Sequence, residues 1–412
     1  MKLILLCLLT LITSFSFSQK KRSLKIAQGN WVGELALSTT DRLPFNLVVS
    51  KDGDTYDFTV ENGEEMIQLN KPVQKGDSLY VAFPFFNSEL VFTAHTKKEL
   101  KGYWVNYNRK NYRIAFTAKK NVATRFPAAQ KKLAESSPNV HGKWAVTFEP
   151  GTTSAYPAVG IFQQDGKTSK VSGTFLTETG DYRYLDGNIV NDSLYLSCFD
   201  GSHAFLFTAS LKGDHMNGKF FSGKHWQSNW EGTRDEQAEL KNPEELTYLI
   251  DDQQITFELP TLTGTLYNFP EDAEPNTVTI IQIMGTWCPN CLDETLFYKE
   301  LYDKYHSKGL EIISVGYEAA SEYTGQVATI ERLKNKLDLE FTFLVGGQAS
   351  KSIASDHFKM LNEIISFPTS IFIGRDGMVK RIHTGFNGPG TGEYYTEYRE
   401  NTISLIESLL AH

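Results

Sequence analysis

The sequence predicts a multidomain protein of the β plus α/β class, with two tandem antiparallel β domains, meander or barrel-like, followed by an α/β domain. Three observations predict it. The 412-residue length exceeds that of an ordinary domain, about 100–200 residues, so two or three cores are expected. Two segments in the first 235 residues resemble each other. After about residue 252 short strands give way to strands alternating with helices.

The first 19 residues, MKLILLCLLTLITSFSFSQ, carry Lys2, an apolar stretch over 3–12, and Ser16 and Ser18 at the spacing that signal peptidase reads. Residues 1–18 are therefore expected to be a signal peptide. The mature chain would start at Gln19, exported to the periplasm or cell envelope. The apolar run falls short of the roughly 20 residues that span a bilayer. Cys7 sits too early for a lipoprotein cleavage site. No later stretch is long and apolar enough to cross, so the protein is not expected to be transmembrane. A net charge of −8 gives no general attraction to nucleic acid or anionic membranes. Lys20, Lys21, Arg22 and Lys25 read as a solvated basic tail.

Gly29-Asn30-Trp31 recurs as Gly142-Lys143-Trp144, Pro44 as Pro157, and Asp52-Gly53 as Asp165-Gly166, each 113 residues on. Asp77-Ser78-Leu79-Tyr80 recurs as Asp192-Ser193-Leu194-Tyr195, and Phe92-Thr93-Ala94 as Phe207-Thr208-Ala209, now 115 on. Matched order with a slow drift is the mark of a duplicated domain with small loop insertions. Copies are expected over 25–119 and 141–235, with linkers over 120–140 and 236–251. Alternating stretches such as "FNLVVS" and "AFLFTAS", broken by DG, NG and GD turns, predict about eight strands per copy by their spacing. That pattern fits a small closed barrel or half of a larger sandwich equally well.

In residues 252–412, "VTIIQIM" and "LEIISVG" are continuous apolar runs of the kind found in strands covered on both faces. Between them Phe297, Leu301 and Tyr305 recur at helical spacing. "FTFLV", a helix near 349–360, two strands joined by a turn at Gly374 and Gly377, and a last helix with Ile403, Ile406 and Leu410 on one stripe complete the pattern.

The motif "GTWCPNCLDE" places Cys288 and Cys291 just after the first apolar run. Structural zinc needs four ligands, and the mature chain offers only Cys198 besides, far off in a β segment. Covalent haem needs a histidine where Leu292 stands. A bridge across two residues closes too small a loop to stabilise the fold appreciably. A dithiol redox pair fits best, because a helix N-terminus favours thiolate over thiol. Cys288 is then the nucleophile and Cys291 the resolving thiol. Trp287 would cover the reactive sulfur, or be ordinary core. Pro289 and Asn290 lie between the cysteines, and Phe367-Pro368 precedes a strand where a cis bond could bring a turn alongside them. Glu294, one helical turn beyond Cys291, could manage protons or lie exposed on its helix.

Through "ITFELPTLTG", "GTWCPNCLDE", "SFPTSIFIGRDG" and "RIHTGFNGPGTG", residues 252–412 resemble the TlpA/ResA-like thioredoxin-fold disulfide reductases of the bacterial envelope. The resemblance implies a thioredoxin-like fold, a cis bond before Pro368, and exchange through a mixed disulfide at Cys288. It also implies a disulfide-containing protein substrate and a membrane thiol-disulfide electron donor. No cofactor or metal beyond the dithiol is expected. The family's usual proline two residues after Glu294 is Leu296 here, and the buried aspartate of thioredoxin is replaced by Gln282, which cannot titrate. Glu294 or water is left to move the proton. Cys198 reads as a buried strand residue, and His383 as a surface or packing residue near the site. An oxidase or isomerase of the same fold is the nearest alternative. A peroxiredoxin lacks support, because Thr286 lies one residue too close to Cys288 and the usual proline is missing. In a different class, the β domains would carry the main role by binding a ligand or client through their many aromatics.

Overall fold

The computed structural model describes residues 24–411 apart from 121, 123–124, 127–137, 165, 167 and 252–253. The expected signal peptide and most of the 120–140 connector lie outside the described residues.

The first β segment forms a nine-stranded antiparallel meander in which Gly29–Ala36 pairs with both Arg42–Asp52 and Tyr112–Lys120. Its edges are Glu65–Gln68 and Val73–Lys75, so the curled sheet keeps an open seam. In the second segment Tyr156–Gln164 pairs with both Gly142–Phe148 and Lys170–Thr177, which closes a ring of eight strands. A ninth strand, Gly180–Asp181, hangs on the end of Lys170–Thr177. The choice left open between barrel and sandwich is thereby made for a closed barrel in the second copy and for a barrel-like sheet with an open seam in the first. The expected eight strands per copy become nine, because a short stretch in each copy hydrogen-bonds as an extra strand too brief to leave an alternating signature.

The duplication is visible in local geometry. Trp31 Nε1 donates to Ala27 O at 3.0 Å, and Trp144 Nε1 to Val140 O at 2.9 Å. Gly29 and Gly142 have φ of +111° and +107°, a conformation that favours glycine at both strand starts.

Both interiors are filled by side chains, as small barrels require. Trp144, Phe148, Phe175, Phe207, Phe220 and Trp230 are buried together in the second. Phe45, Phe58, Phe92, Trp104 and Phe116 fill the first, joined by Phe199 from the second copy. The Phe199 ring lies 4.6 Å from Phe45 and 5.2 Å from Trp104, and its backbone exchanges two hydrogen bonds with the Asn62 side chain. One barrel therefore plugs the other. The aromatic residues that a ligand-binding role would use are largely core, although Trp226 is 50% exposed.

The C-terminal domain begins with a hairpin, β1 (Phe257–Pro260) and β2 (Leu266–Phe269). It continues through β3 (Val278–Met284), α1 (Pro289–Tyr305), β4 (Leu310–Glu318), α2 (Tyr323–Leu337), β5 (Thr342–Gln348), α3 (Lys351–His357), β6 (Thr369–Ile373), β7 (Val379–Thr384) and α4 (Glu393–Ala411). The sheet order is β5-β4-β3-β6-β7; β3, β4 and β5 are parallel, β6 runs against β3, and β7 runs against β6. This is a thioredoxin-like fold. Every residue of β3 is buried. Ile281 and Ile283 face one core, while Val278 and Ile280 face the other, beneath α1 and α4. By that alternation Gln282 points at α1. Among the described residues no helix is long and apolar enough to cross a membrane.

Candidate active site

β3 delivers the chain to the start of α1, where Cys288 is the N-cap and Pro289 occupies the first turn. Cys288 Sγ accepts from Cys291 N at 3.3 Å and donates to Phe367 O at 3.5 Å, and both cysteines are free thiols. The Phe367-Pro368 bond is cis, and so is Phe269-Pro270, which carried no signal in the sequence. Trp287 Nε1 donates to Tyr317 O at 2.9 Å, and its ring meets the Phe367 ring edge-on. Cys291 is fully buried, and burial together with the neighbouring Cys288 pushes its thiol well above the ordinary range. A thiol so raised stays protonated at neutral pH.

Glu294 is fully buried beside it, not exposed on its helix. Its carboxyl accepts from Gln282 Nε2 at 2.9 Å, Ser370 Oγ at 2.9 Å, Tyr298 Oη at 3.2 Å and Tyr398 Oη at 3.4 Å. Burial pushes its pKa up to about 7, and the four hydrogen bonds restrain the rise. Gln282 thus occupies the thioredoxin aspartate position as a hydrogen-bond donor. Tyr298, Ser370 and Tyr398 were missed by sequence reasoning; strand alternation and helical spacing place them correctly only once the sheet order is known.

A raised carboxyl pKa makes stability depend on pH. Between its unfolded value of 4.5 and about 7, Glu294 holds a proton in the native state that the unfolded chain releases. Its contribution is fully present below the unfolded value and is lost as pH rises through the folded one, by about 3 kcal/mol. Asp293, also pushed up to about 7 by burial against the pull of Arg183, acts in the same direction. The Glu294→Gln protein should therefore lose less stability between pH 5 and pH 8 than the parent protein, as read by urea denaturation at each pH. An equal loss in both would refute the burial argument.

The β barrels reach this site directly. Asn290 Nδ2 donates to Asp181 O at 3.1 Å and to Phe386 O at 3.2 Å, and Ser202 Oγ donates to Trp287 O at 2.6 Å. A Cβ at Gly180 would come within 2.5 Å of Asn290 Nδ2, so only glycine lets the short strand approach this closely. Arg183, itself buried, gathers carboxyls from all three domains. It pairs with Glu65 at 2.7 Å, with Asp200 at 3.7 Å and with Asp293, two residues beyond Cys291. Asp181 accepts from Gly388 N at 2.6 Å and from Arg183 N. Burial opposes ionisation of Asp200, but His203 and Arg183 outweigh it and hold its pKa below the ordinary value. Arg332 of α2 adds a separate bond, to Phe85 O of the first barrel at 3.3 Å. Beneath these contacts Cys288 keeps 8% exposure.

All eight residues singled out in the sequence, Trp287, Cys288, Pro289, Asn290, Cys291, Glu294, Phe367 and Pro368, belong to this one site or its immediate wall. Cys198 lies apart, in the core of the second barrel, where burial raises its thiol pKa. His383 is a packing residue: its ring lies 4.6 Å from Tyr398, and burial lowers its pKa to about 3.

Residues 251–397 match the family model described as Redoxin. The chain is 29% identical over 120 residues to the thiol-disulfide oxidoreductase ResA of Bacillus thuringiensis subsp. konkukian, a match covering 29% of this chain and 59% of that protein. It is 27% identical over 129 residues to the thioredoxin-like protein YneN of Bacillus subtilis, covering 31% and 68%. It thus spans about three fifths of the length of the first of these relatives. Among solved structures, StoA from Bacillus subtilis aligns at 22% identity with a TM-score of 0.26, covering 35% of this chain and 99% of that one.

Proposed function

We propose that this chain, TlpA/ResA-like and of thioredoxin fold over residues 252–412, is an extracytoplasmic reductase of protein disulfides. The observation that carries the reading is the free Cys288/Cys291 pair at the start of α1, with a buried carboxyl one turn further on. The Cys288 thiolate attacks one sulfur of a substrate disulfide, forming a mixed disulfide and releasing the first substrate thiol. Cys291 passes its proton toward Glu294 and attacks Cys288 Sγ. The second substrate thiol leaves, and the protein retains a Cys288–Cys291 disulfide while two electrons have gone to the substrate. A membrane thiol-disulfide donor restores the dithiol, and no cofactor takes part. The apolar first 18 residues support export.

The β barrels decide which disulfides reach the site. With Ser202 and Asp181 held against the active-site turn, Cys288 is accessible to a narrow approach only. An equilibrium titration of the dithiol in glutathione or dithiothreitol buffers, read by thiol alkylation and mass, tests the reading. A potential near about −270 mV is expected for a reductase, whereas one near about −120 mV would make the protein an oxidant. Failure to form the disulfide would end the redox reading and promote the β barrels to the main function.

A further inference from the structure

The proposed exchange loads and unloads a proton on Glu294 at every turnover, yet Glu294 has no contact with solvent. Its four hydrogen-bond partners differ in where they lead. Gln282, Ser370 and Tyr298 are fully buried. Tyr398 also lines a cleft of about 380 Å³ between the second barrel, the segment around 238–244 and α4. Lys143, Glu178, His383, Thr384 and Asn387 line the same cleft.

The wall contributed by the redox domain is polar and incompletely satisfied. His383 Nδ1, Thr384 Oγ1 and Asn387 Oδ1 are buried and find no hydrogen-bond partner among the described residues. Buried polar atoms are nearly always bonded to protein or to ordered water, and a cleft of this size lined by Lys143, Glu178, Glu397 and Asn401 suits water. His383 stays neutral at physiological pH, so it can both donate to and accept from water. Burial raises the Tyr398 pKa, so that hydroxyl stays protonated.

We infer that Tyr398 is the proton relay of the dithiol site, passing protons between Glu294 and water in the cleft that Tyr398 lines. This rests on the thiol-disulfide reading above. Cys291 gives its proton to the Glu294 carboxylate as it attacks Cys288. The Tyr398 hydroxyl then takes the carboxyl proton and releases its own to cleft water in the same step. The tyrosine stays neutral, the carboxylate is regenerated, and water carries the proton away. The groups facing Glu294 are Cys291 and Tyr298 from α1, Gln282 from β3, Ser370 from β6 and Tyr398 from α4, with Arg381 of β7 lying 5.7 Å over the Tyr398 ring. Tyr398 is the one of these tied both to the carboxyl and to the cleft.

The experiment uses the full chain and oxidised glutathione as the disulfide. Quenched flow with alkylation and mass detection follows decay of the Cys288–glutathione adduct, the step in which Cys291 loses its proton. In Tyr398→Phe this decay should slow about tenfold or more, show a larger solvent deuterium isotope effect, and recover partly on adding imidazole. Because Tyr298 Oη also bonds Tyr398 Oη, the control is Ser370→Ala, which removes a comparable hydrogen bond to Glu294 without touching Tyr398 or the cleft. It should move the pH midpoint of the decay upward but leave the plateau rate insensitive to imidazole. Equal behaviour of the two variants, with no rescue, would overturn the relay while leaving the redox function intact. A parent protein that forms no adduct with oxidised glutathione would overturn the thiol-disulfide reading, and the relay with it.

Discussion

The Cys291→Ser protein should stay covalently joined to its disulfide substrate. The first half of the exchange needs Cys288 alone, whereas release needs a second sulfur at the position of Cys291, whose backbone N–H lies 3.3 Å from Cys288 Sγ. A serine hydroxyl at neutral pH cannot displace a thiolate from sulfur, so the mixed disulfide persists and catalytic turnover is lost. Outside thiols are poor substitutes, because the barrels cover the site and leave Cys288 8% exposed. Non-reducing electrophoresis and intact mass should show one adduct per chain, released by dithiothreitol, and Cys288→Ser should show none. Cys198 does not compete, since it is sealed in the core of the second barrel. An adduct that survives Cys288→Ser, or no adduct in Cys291→Ser, would remove the nucleophile assigned here.

The other large effect is expected at Arg183. Its guanidinium is the cation shared by Glu65, Asp200 and Asp293, with Asp181 beside it; Arg183, Asp181 and Asp200 are buried, and the Glu65 and Asp293 side chains keep only 15% and 11% exposure. Arg183→Met would keep much of the volume and leave several carboxyls buried without their cation. Breaking a buried pair on one side costs about 3–5 kcal/mol, because the stranded charges keep their desolvation penalty. Part of that cost is relieved by protonating the carboxyls and part by parting the domains. The melting temperature should fall substantially, and iodoacetamide should reach Cys288 faster than in the parent. Asp293→Asn should do less, since it removes one carboxylate and keeps a polar partner for Arg183. A parent-like melting curve with unchanged alkylation would show that the cluster does not hold the barrels over the dithiol.

Features that a local pattern specifies were legible in the sequence. The apolar run over 278–284 gives β3, whereas the face that Gln282 takes is legible only once α1 is in place. The Cys-x-x-Cys spacing places one sulfur at a helix N-cap and the other one turn in. The matched tryptophans and glycines of the two copies gave the duplication. Features created by distant parts of the chain meeting were not legible. Arg183 is 118 residues from Glu65 and 110 from Asp293, and no spacing rule links them. Glu294 could not be told from a surface glutamate, because what buries it are α4 and β6, 104 and 76 residues away. Nothing local marks Phe199, which ends a strand of its own barrel and fills the neighbouring one.

At the 115-residue offset of the later repeats, the stretch around 83–88 of the first barrel corresponds to the one around 198–203 of the second. These two loops stand together, with Ser88 Oγ donating to Gly201 O at 2.5 Å and the rings of Phe83 and Phe199 at 5.3 Å. One touches α2 through Arg332 and Phe85, and the other touches the active-site turn through Ser202 and Trp287. These are two of several ties: the second barrel also meets the redox domain through Asp181 and Asn290, through Asp181 and Gly388, and through Arg183 and Asp293. Ties at α2, at the active-site turn and at the loop before α4 leave no single line about which the barrels could tip. Duplication here braces the dithiol from two sides, so the opening over Cys288 keeps the shape that the three domains give it.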